Sequence, residues 1–150
     1  MPLIINPRQG TLSDTTVPTG FVGELLQSNV GSGSSVGMTS NVAANITNIS
    51  LTPGHWNVSL LAGWTPAAAT SVTRMLCEIT TTSATVGFTA GAYADHNQPA
   101  TVPTAGGFLH TSIPLYRIAV NANTTLYAVA YCLFTVSTLA VFGRLTAVRV

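Results

Sequence analysis

Short apolar segments at strand spacing, separated by turn residues, make up most of this chain from residue 20 onward. Residues 46–51 alternate apolar and polar side chains, and residues 55–64 place four apolar side chains on one face. A repeat of two residues is typical of a half-buried β-strand. The pattern predicts about eight strands and no helix. The predicted strands are 21–28, 36–40, 46–51, 55–64, 71–81, 109–120, 126–134 and 139–150.

A long, mostly apolar segment, residues 126–145, raises the question of a membrane helix. It runs for eighteen residues before its first charge. That length is close to a span, but Thr135, Ser137 and Thr138 would then lie deep in the bilayer. The abundance of Tyr, Val, Phe and Thr favours two strands joined by a short turn at 136–138. We therefore predict a terminal β-hairpin, buried on both faces, and no membrane insertion.

Gly, Pro and Asn residues separate the predicted strands at even intervals. Pro53-Gly54 has the sequence of a tight turn, in which Pro fixes one backbone angle and Gly accepts a positive one. Residues 84–107 are rich in Gly and Pro and are predicted to be the longest irregular stretch. Many short strands with such turns predict an all-β fold, an antiparallel β-sandwich of jelly-roll type. The predicted domain covers residues 20–150.

Composition adds that the surface carries very little charge. Charged residues make up 6% of the 150 residues, against about 25% in an ordinary soluble protein. Thr and Ser, with 23 and 12 residues, supply much of the polarity. Because interface cores are depleted of charge, we expect an oligomer, although a neutral monomer has the same composition. A net charge of +1 gives no field that attracts nucleic acid.

Titratable residues are too few and too scattered to predict an enzyme. They are Asp14, Glu24, Glu78, Asp95, His55, His96 and His110. No spacing typical of a metal site, a nucleophile elbow or a phosphate loop occurs, so no catalytic residue, metal or cofactor is predicted. Cys77 and Cys132 lie in apolar runs and are predicted to be buried free thiols. Arg74 and Glu78 share one strand face, which suggests a structural ion pair within the sheet.

One polar cluster stands out in the predicted loop 91–106. Its members are Tyr93, Asp95, His96, Asn97 and Gln98. An aromatic ring combined with amides, a carboxylate and an imidazole is a set that can bind a sugar. A solvated loop tip is the other interpretation, because polar tips are where connections between strands normally lie. The sequence leaves both interpretations open.

Residues 1–19 are predicted to form an extended N-terminal arm. Three prolines interrupt this segment, and no apolar period of either kind develops. Fully extended, the arm would reach about 65 Å. It is either disordered or laid along a neighbouring molecule. Its start has no basic region followed by an apolar one, so no secretory signal is predicted and synthesis in the cytoplasm is expected.

Four segments share an order and a spacing that point to a family. They are GFVGELLQSNV (20–30), ITNISLTPGHWNVSLLAGW (46–64), TSVTRMLCEITTTSAT (70–85) and TTLYAVAYCLFTVSTLAVFGRLTAVRV (124–150). Together they resemble small virion proteins of tailed bacteriophages and prophages, over most of residues 20–150. His55 and Asn57 stand where that family usually has acidic residues, and Arg149 alone remains of a terminal basic pair. These differences make this chain more neutral than the proteins it resembles.

The resemblance implies a jelly-roll domain that trimerises on the virion, made in the host cytoplasm, and it leaves two placements. One is a capsid decoration (cement) or head-fibre protein on the outer surface of the head, bound to the major capsid protein. The other is a short tail-fibre or receptor-binding protein at the tail tip, where the 91–106 loop recognises a host surface glycan. We favour decoration, because a short arm can be ordered by capsid subunits but cannot form a shaft. The expected capsid contacts are Leu3, Ile4, Ile5, Asn6, Pro7 and Arg8.

Overall fold

The computed structural model describes residues 17–103 and 108–150, with side chains described for all of these except residues 98–103. These residues form nine β-strands. They are β1 (Leu25–Val30), β2 (Val36–Met38), β3 (Ala44–Leu51), β4 (Gly54–Pro66), β5 (Ser71–Thr80), β6 (Tyr93–Pro103), β7 (Leu109–Val120), β8 (Thr124–Thr135) and β9 (Leu139–Arg149). A short 3-10 helix, Ser32–Ser34, lies between β1 and β2.

The strands form two antiparallel sheets that pack face to face. Sheet A has the strand order β1-β9-β4-β7, with the short β2 also paired to β9, and sheet B has the order β3-β8-β5-β6. A five-stranded and a four-stranded antiparallel sheet packed face to face form a β-sandwich. The predicted antiparallel β-sandwich is therefore confirmed. The described residues hold one strand more than expected, because β6 was not predicted.

Alternate residues of the central strands form the core between the two sheets. On β4, Trp56, Val58, Leu60 and Trp64 are all 0–1% exposed, which is the period of two that the sequence predicted. Each such side chain contributes about 1.5–3 kcal/mol through burial. The indole nitrogen of Trp64 donates to the Thr111 hydroxyl at 3.0 Å, so this buried ring leaves no polar atom unpaired.

The last two strands do not form the predicted hairpin. β8 pairs with β3 and β5 in sheet B, whereas β9 pairs with β1, β2 and β4 in sheet A. Residues 136–138 therefore cross from one layer to the other, and Val136 (φ 57°) and Ser137 (φ 68°) lie in the left-handed region. Buried and partly exposed residues alternate along β9, so its outer face is not buried within the chain.

Residues 126–145, the segment with the length of a membrane span, thus belong to two strands, β8 and β9, and to the connection between them. Among residues 17–103 and 108–150, no helix has the length and hydropathy that a membrane crossing requires.

The predicted irregular stretch 84–107 contains β6, and this prediction was wrong. β6 is the edge strand of sheet B and pairs with β5 alone. One side of an edge strand has no ladder partner, so this strand tolerates Pro99 and Pro103, which argued against a strand in the sequence. Residues 93–103 of the predicted ligand loop 91–106 are therefore strand and not loop.

Of the predicted arm (residues 1–19), residues 1–16 lie outside the described residues. The same holds for residues 104–107. The expected capsid contacts also lie outside them: Leu3, Ile4, Ile5, Asn6, Pro7 and Arg8.

A buried ion pair between Glu24 and Arg149 closes one end of the sandwich. Glu24 directly precedes β1, and Arg149 is the last residue of β9. The Arg149 Nε donates to Glu24 Oε2 at 2.9 Å, and its Nη1 donates to the Pro53 carbonyl at 2.7 Å. The guanidinium lies 4.2 Å from the centre of the Trp56 ring, a cation–π distance. The side chains of the pair are only 5–7% exposed, so each charge depends on the other.

The surroundings of this pair keep the Glu24 carboxylate charged. Burial raises its pKa, but the hydrogen bond from the Gly20 N–H and the Arg149 guanidinium outweigh burial and leave the pKa below its ordinary value. Gly54 makes room for the arginine, since a Cβ there would lie 2.1 Å from Arg149 Nη1. The backbone of Gly54 also has φ 148°, a conformation that other residues rarely adopt.

Candidate functional site

The predicted polar cluster lies along the edge strand of sheet B. Tyr93 and Asp95 pair with Glu78 and Leu76 of β5, so their side chains share the outer face of that sheet. His96 belongs to the opposite set of alternating residues, and it is exposed at the sheet edge. Asn97 is exposed near Asp95, and Gln98 lies on β6 outside the described side chains.

Arg74 of β5 is ion-paired with Asp95 of β6, and not with Glu78 as the sequence suggested. Its Nε donates to Asp95 Oδ1 at 3.0 Å, and its Nη2 donates to Oδ2 at 2.6 Å, which is a bidentate pair. The hydrogen bond with Asp95 raises the pKa of Arg74. Both side chains are 23% exposed, so the pair lies at the surface within reach of a ligand.

Aromatic rings surround this ion pair. The Arg74 guanidinium lies 5.4 Å from the ring centre of Phe88 and 5.7 Å from that of Tyr131. Phe88 in turn meets Tyr93 edge to face, with ring centres 5.8 Å apart. We call Arg74, Phe88, Tyr93, Asp95 and Tyr131 the Arg74 cluster. Its rings and paired charges are a surface that can bind a sugar by stacking and hydrogen bonding.

Glu78 holds the loop that carries Phe88. Its side chain is fully buried, and its carboxylate accepts three backbone N–H groups: from Gly87 at 2.8 Å, from Phe88 at 3.1 Å and from Thr89 at 3.0 Å. Phe88 has φ 56° and is 47% exposed, so the loop turns sharply and presents this ring to solvent. Glu78 therefore positions Phe88 over Arg74 through the backbone of the loop.

The outer face of sheet A, which we call the sheet A face, is apolar and basic. It exposes four large apolar side chains: Leu25 (52%), Leu61 (45%), Phe108 (57%) and Leu115 (63%). Arg117 and Arg144 are exposed beside them. No acidic side chain belongs to this face among the described residues. Exposed apolar groups next to arginines are typical of a surface that meets other protein.

A groove of about 210 Å³ crosses the sheet A face. It is lined by Asn29, Leu61, Gly63, His110, Phe142, Gly143 and Arg144. Gly63 allows the Phe142 ring to lie directly on β4, because a Cβ at that position would be 2.3 Å from the ring. One end of the groove is thus aromatic and apolar, and the other carries a guanidinium.

Sequence reasoning missed this groove because its residues come from four strands that are distant along the chain. The strands β1, β4, β7 and β9 each contribute one or more lining residues. The outward alternation along β9 was the signal that would have revealed an exposed face, but the hairpin interpretation assumed that both faces were buried.

Both cysteines are free and fully buried in the core, as the sequence predicted. Burial raises the pKa of the Cys132 thiol to about 12 and that of Cys77 above its ordinary value. Because the thiolate is the reactive form, these thiols are unreactive at neutral pH.

Comparison with known proteins gives no further assignment. No protein-family model matches the chain. No curated protein matches it either.

Proposed function

We propose that this protein is a structural component of a tailed-bacteriophage virion, a capsid decoration (cement) protein that binds the assembled head as a homotrimer. The observation that supports this proposal most directly is the sheet A face. Four exposed apolar side chains and two arginines on one sheet are suited to protein partners. The resemblance of most of residues 20–150 to virion proteins supports two kinds of partner: the major capsid protein and two further copies of this chain.

A decoration protein stabilises the head when its binding sites exist only on the assembled shell. A trimer that contacts several capsid subunits at once gains avidity, because after the first contact the others form within one complex. A protein that binds the assembled head and not its separated subunits stabilises the assembled state by mass action. An uncharged surface rich in Thr is suited to such many-point contacts, since it has few charges to desolvate.

Removing residues 1–16 should release the protein from heads while leaving the domain folded and trimeric. The truncation keeps the turn at Pro18 and the Glu24–Arg149 pair, so the sandwich loses none of its described contacts. If the arm adds contacts on the capsid, head occupancy falls at least about tenfold through lost avidity. Occupancy is measured on purified heads by gel densitometry, and the trimer by light scattering.

A matched control replaces residues 1–16 by a Gly/Ser sequence of equal length. It should bind as poorly as the truncation, because the contacts depend on the side chains of the arm. Unchanged occupancy of the truncated protein would exclude a role for the arm, and a monomer in light scattering would exclude the trimer.

The Arg74 cluster supports a second candidate function, that of a tail-fibre or receptor-binding protein for a host surface glycan. In that case Tyr93→Ala with Asp95→Ala should abolish attachment to host cells, because stacking and a hydrogen-bonding carboxylate are lost. Particle stability should not change. The control is Thr82→Ala, an exposed position outside the Arg74 cluster, which should leave attachment as it is. Normal attachment of the Tyr93/Asp95 variant would exclude this function.

A further inference from the structure

The sheet A face carries two arginines and no acidic side chain among the described residues. Arg117 lies on β7 and Arg144 on β9, and both are exposed. In the strand ladder, Arg144 lies opposite Leu61 of β4, and Arg117 lies opposite Asn57 of the same strand. Neither arginine forms an ion pair within the described part of the chain. The face therefore presents two cations and no anion to a molecule that covers it.

Another copy of this chain offers too few carboxylates for these arginines. The sequence has four acidic residues. Glu24 and Glu78 are only 4% and 0% exposed, so a neighbouring molecule does not reach them. Asp95 is already neutralised by Arg74. The remaining acidic residue is Asp14, which precedes the described residues and is a single carboxylate against two arginines.

This shortage holds for any assembly of identical chains, because every copy brings the same charges. If the face met itself across a two-fold axis, arginines would lie against arginines, which repel each other. In a ring, the face would meet a different patch of the next copy. That patch supplies at most one carboxylate that is not already paired. At least one arginine per chain would then be desolvated without a counter-charge, so contact between copies is an unfavourable use of this face.

The groove on this face describes the kind of partner that fits it. Arg144 lines the groove between Asn29 of β1 and Leu61 of β4. Phe142, the neighbouring outward residue of β9, also lines it, and its ring lies against Gly63. Aromatic and aliphatic surface is thus adjacent to a guanidinium and an amide. Such a groove fits an apolar side chain with a carboxylate close beside it.

Arg117 provides a second contact point away from the groove. Asn57, the ladder neighbour of Arg117, lies four residues before Leu61, the ladder neighbour of Arg144. That is about 13 Å along β4, and β7 and β9 flank β4 at a total separation of about 10 Å. The backbones of the two arginines are therefore about 16 Å apart. They contact different parts of a partner, so the matching partner has acidic side chains spread over its surface.

We infer that the sheet A face docks on an acidic surface of a different protein, and that copies of this chain contact one another elsewhere. An apolar side chain of the partner packs on Leu61 and Phe142, and a carboxylate beside it accepts hydrogen bonds from Arg144. A further acidic side chain of the partner meets Arg117. The inference rests on the proposed function, which requires contacts both with the head and between copies, and it assigns this face to the head.

The test removes both charges and measures head binding and trimer mass on the same samples. Arg117→Gln with Arg144→Gln should lower occupancy on heads that lack this protein about tenfold, because each exposed pair contributes little but acts in every bound protomer. The trimer mass in light scattering should not change. Wild-type occupancy should fall as NaCl is raised above about 0.15 M, since salt screens exposed charges, and the occupancy of the variant should fall less.

Two control variants match this change. Arg117→Lys with Arg144→Lys keeps both charges and should keep most of the occupancy. Thr82→Glu with Thr85→Glu lowers the net charge by the same amount at exposed positions, in the loop that Asn45 of β3 holds on sheet B. This variant should bind as the wild type does. The two sheets lie about 10 Å apart, beyond the Debye length of about 8 Å, so these charges are screened from the sheet A face.

Three results would overturn the inference. The first is equal occupancy of the glutamine variant and the wild type. The second is a folded glutamine variant that has become monomeric, which would place the face between copies. The third is an equal loss for the Thr82 and Thr85 variant, which would make net charge the cause. In all three the wild type still binds heads, so the proposed function stands. Absence of wild-type binding would overturn the proposed function and this inference together.

Discussion

Arg149→Met lowers the free energy of unfolding by about 3–5 kcal/mol, the loss expected when one partner of a buried ion pair is removed. The Glu24 carboxylate then stays buried without a counter-charge, and the Pro53 carbonyl loses its donor. Methionine fills much of the volume beside Trp56, so the change tests charge rather than a cavity. Urea unfolding at one fixed protein concentration measures the effect, since an oligomer's stability depends on concentration.

Two further variants identify the ion pair as the cause. Arg117→Met removes an exposed arginine and should change stability by less than about 0.5 kcal/mol. Glu24→Gln combined with Arg149→Met should be less destabilising than the sum of the single changes, because no buried charge is left unpaired. A loss for Arg149→Met no larger than that of the Arg117 control would contradict the prediction.

The Glu24–Arg149 pair makes the protein less stable at acidic pH. The pKa of Glu24 is lowered in the folded protein, so this residue contributes stability that is fully present above the ordinary glutamate pKa of about 4.3. That stability is lost as the pH falls further and the carboxylate takes up a proton. Glu24→Gln should flatten the acid limb of the stability profile, since the group that titrates there is gone.

The local pattern of the sequence was enough to find most strands and their inward faces. The predictions 46–51, 55–64, 71–81 and 109–120 agree with β3, β4, β5 and β7 to within two residues at each end. β3, β4 and β7 alternate because one face packs on the core, whereas β5 is buried on both faces over much of its length. β6 was missed because Gly and Pro weigh against a strand in the sequence, whereas an edge strand accepts them.

Pairing between distant residues could not be predicted from the sequence. A tight connection at 136–138 looks the same whether its strands pair with each other or cross between two sheets. The Arg74–Asp95 pair is 21 residues apart and depended on a strand that was not predicted. The Glu24–Arg149 pair spans 125 residues. The sheet order brings these distant residues together, so their contacts could not be predicted from local sequence patterns.

Glu78→Gln should cost about 3 kcal/mol of stability, more than any exposed carboxylate-to-amide change in this protein. Glutamine keeps one acceptor oxygen but turns an NH₂ group towards the N–H groups of residues 87–89, so donors face donors in a buried site. Asp95→Asn on the same sheet face is the matched control. That pair is partly exposed, and its loss should cost at most about 1 kcal/mol.

Glu78→Gln should loosen the loop at residues 87–89 and leave the rest of the sandwich unchanged. Because the carboxylate holds only the loop backbone, hydrogen exchange should quicken first at the amides of Gly87, Phe88 and Thr89, and not across β5 and β8. Phe88 then loses its fixed position over Arg74, although no residue of the Arg74 cluster has been changed. A stability loss equal to that of Asp95→Asn, with loop exchange unaltered, would mean that Glu78 does not position this ring. Glycan attachment can be compared between Glu78→Gln and the Tyr93/Asp95 double variant. If only the double variant loses attachment, binding needs Tyr93 and Asp95 of β6 and does not need the fixed position of Phe88.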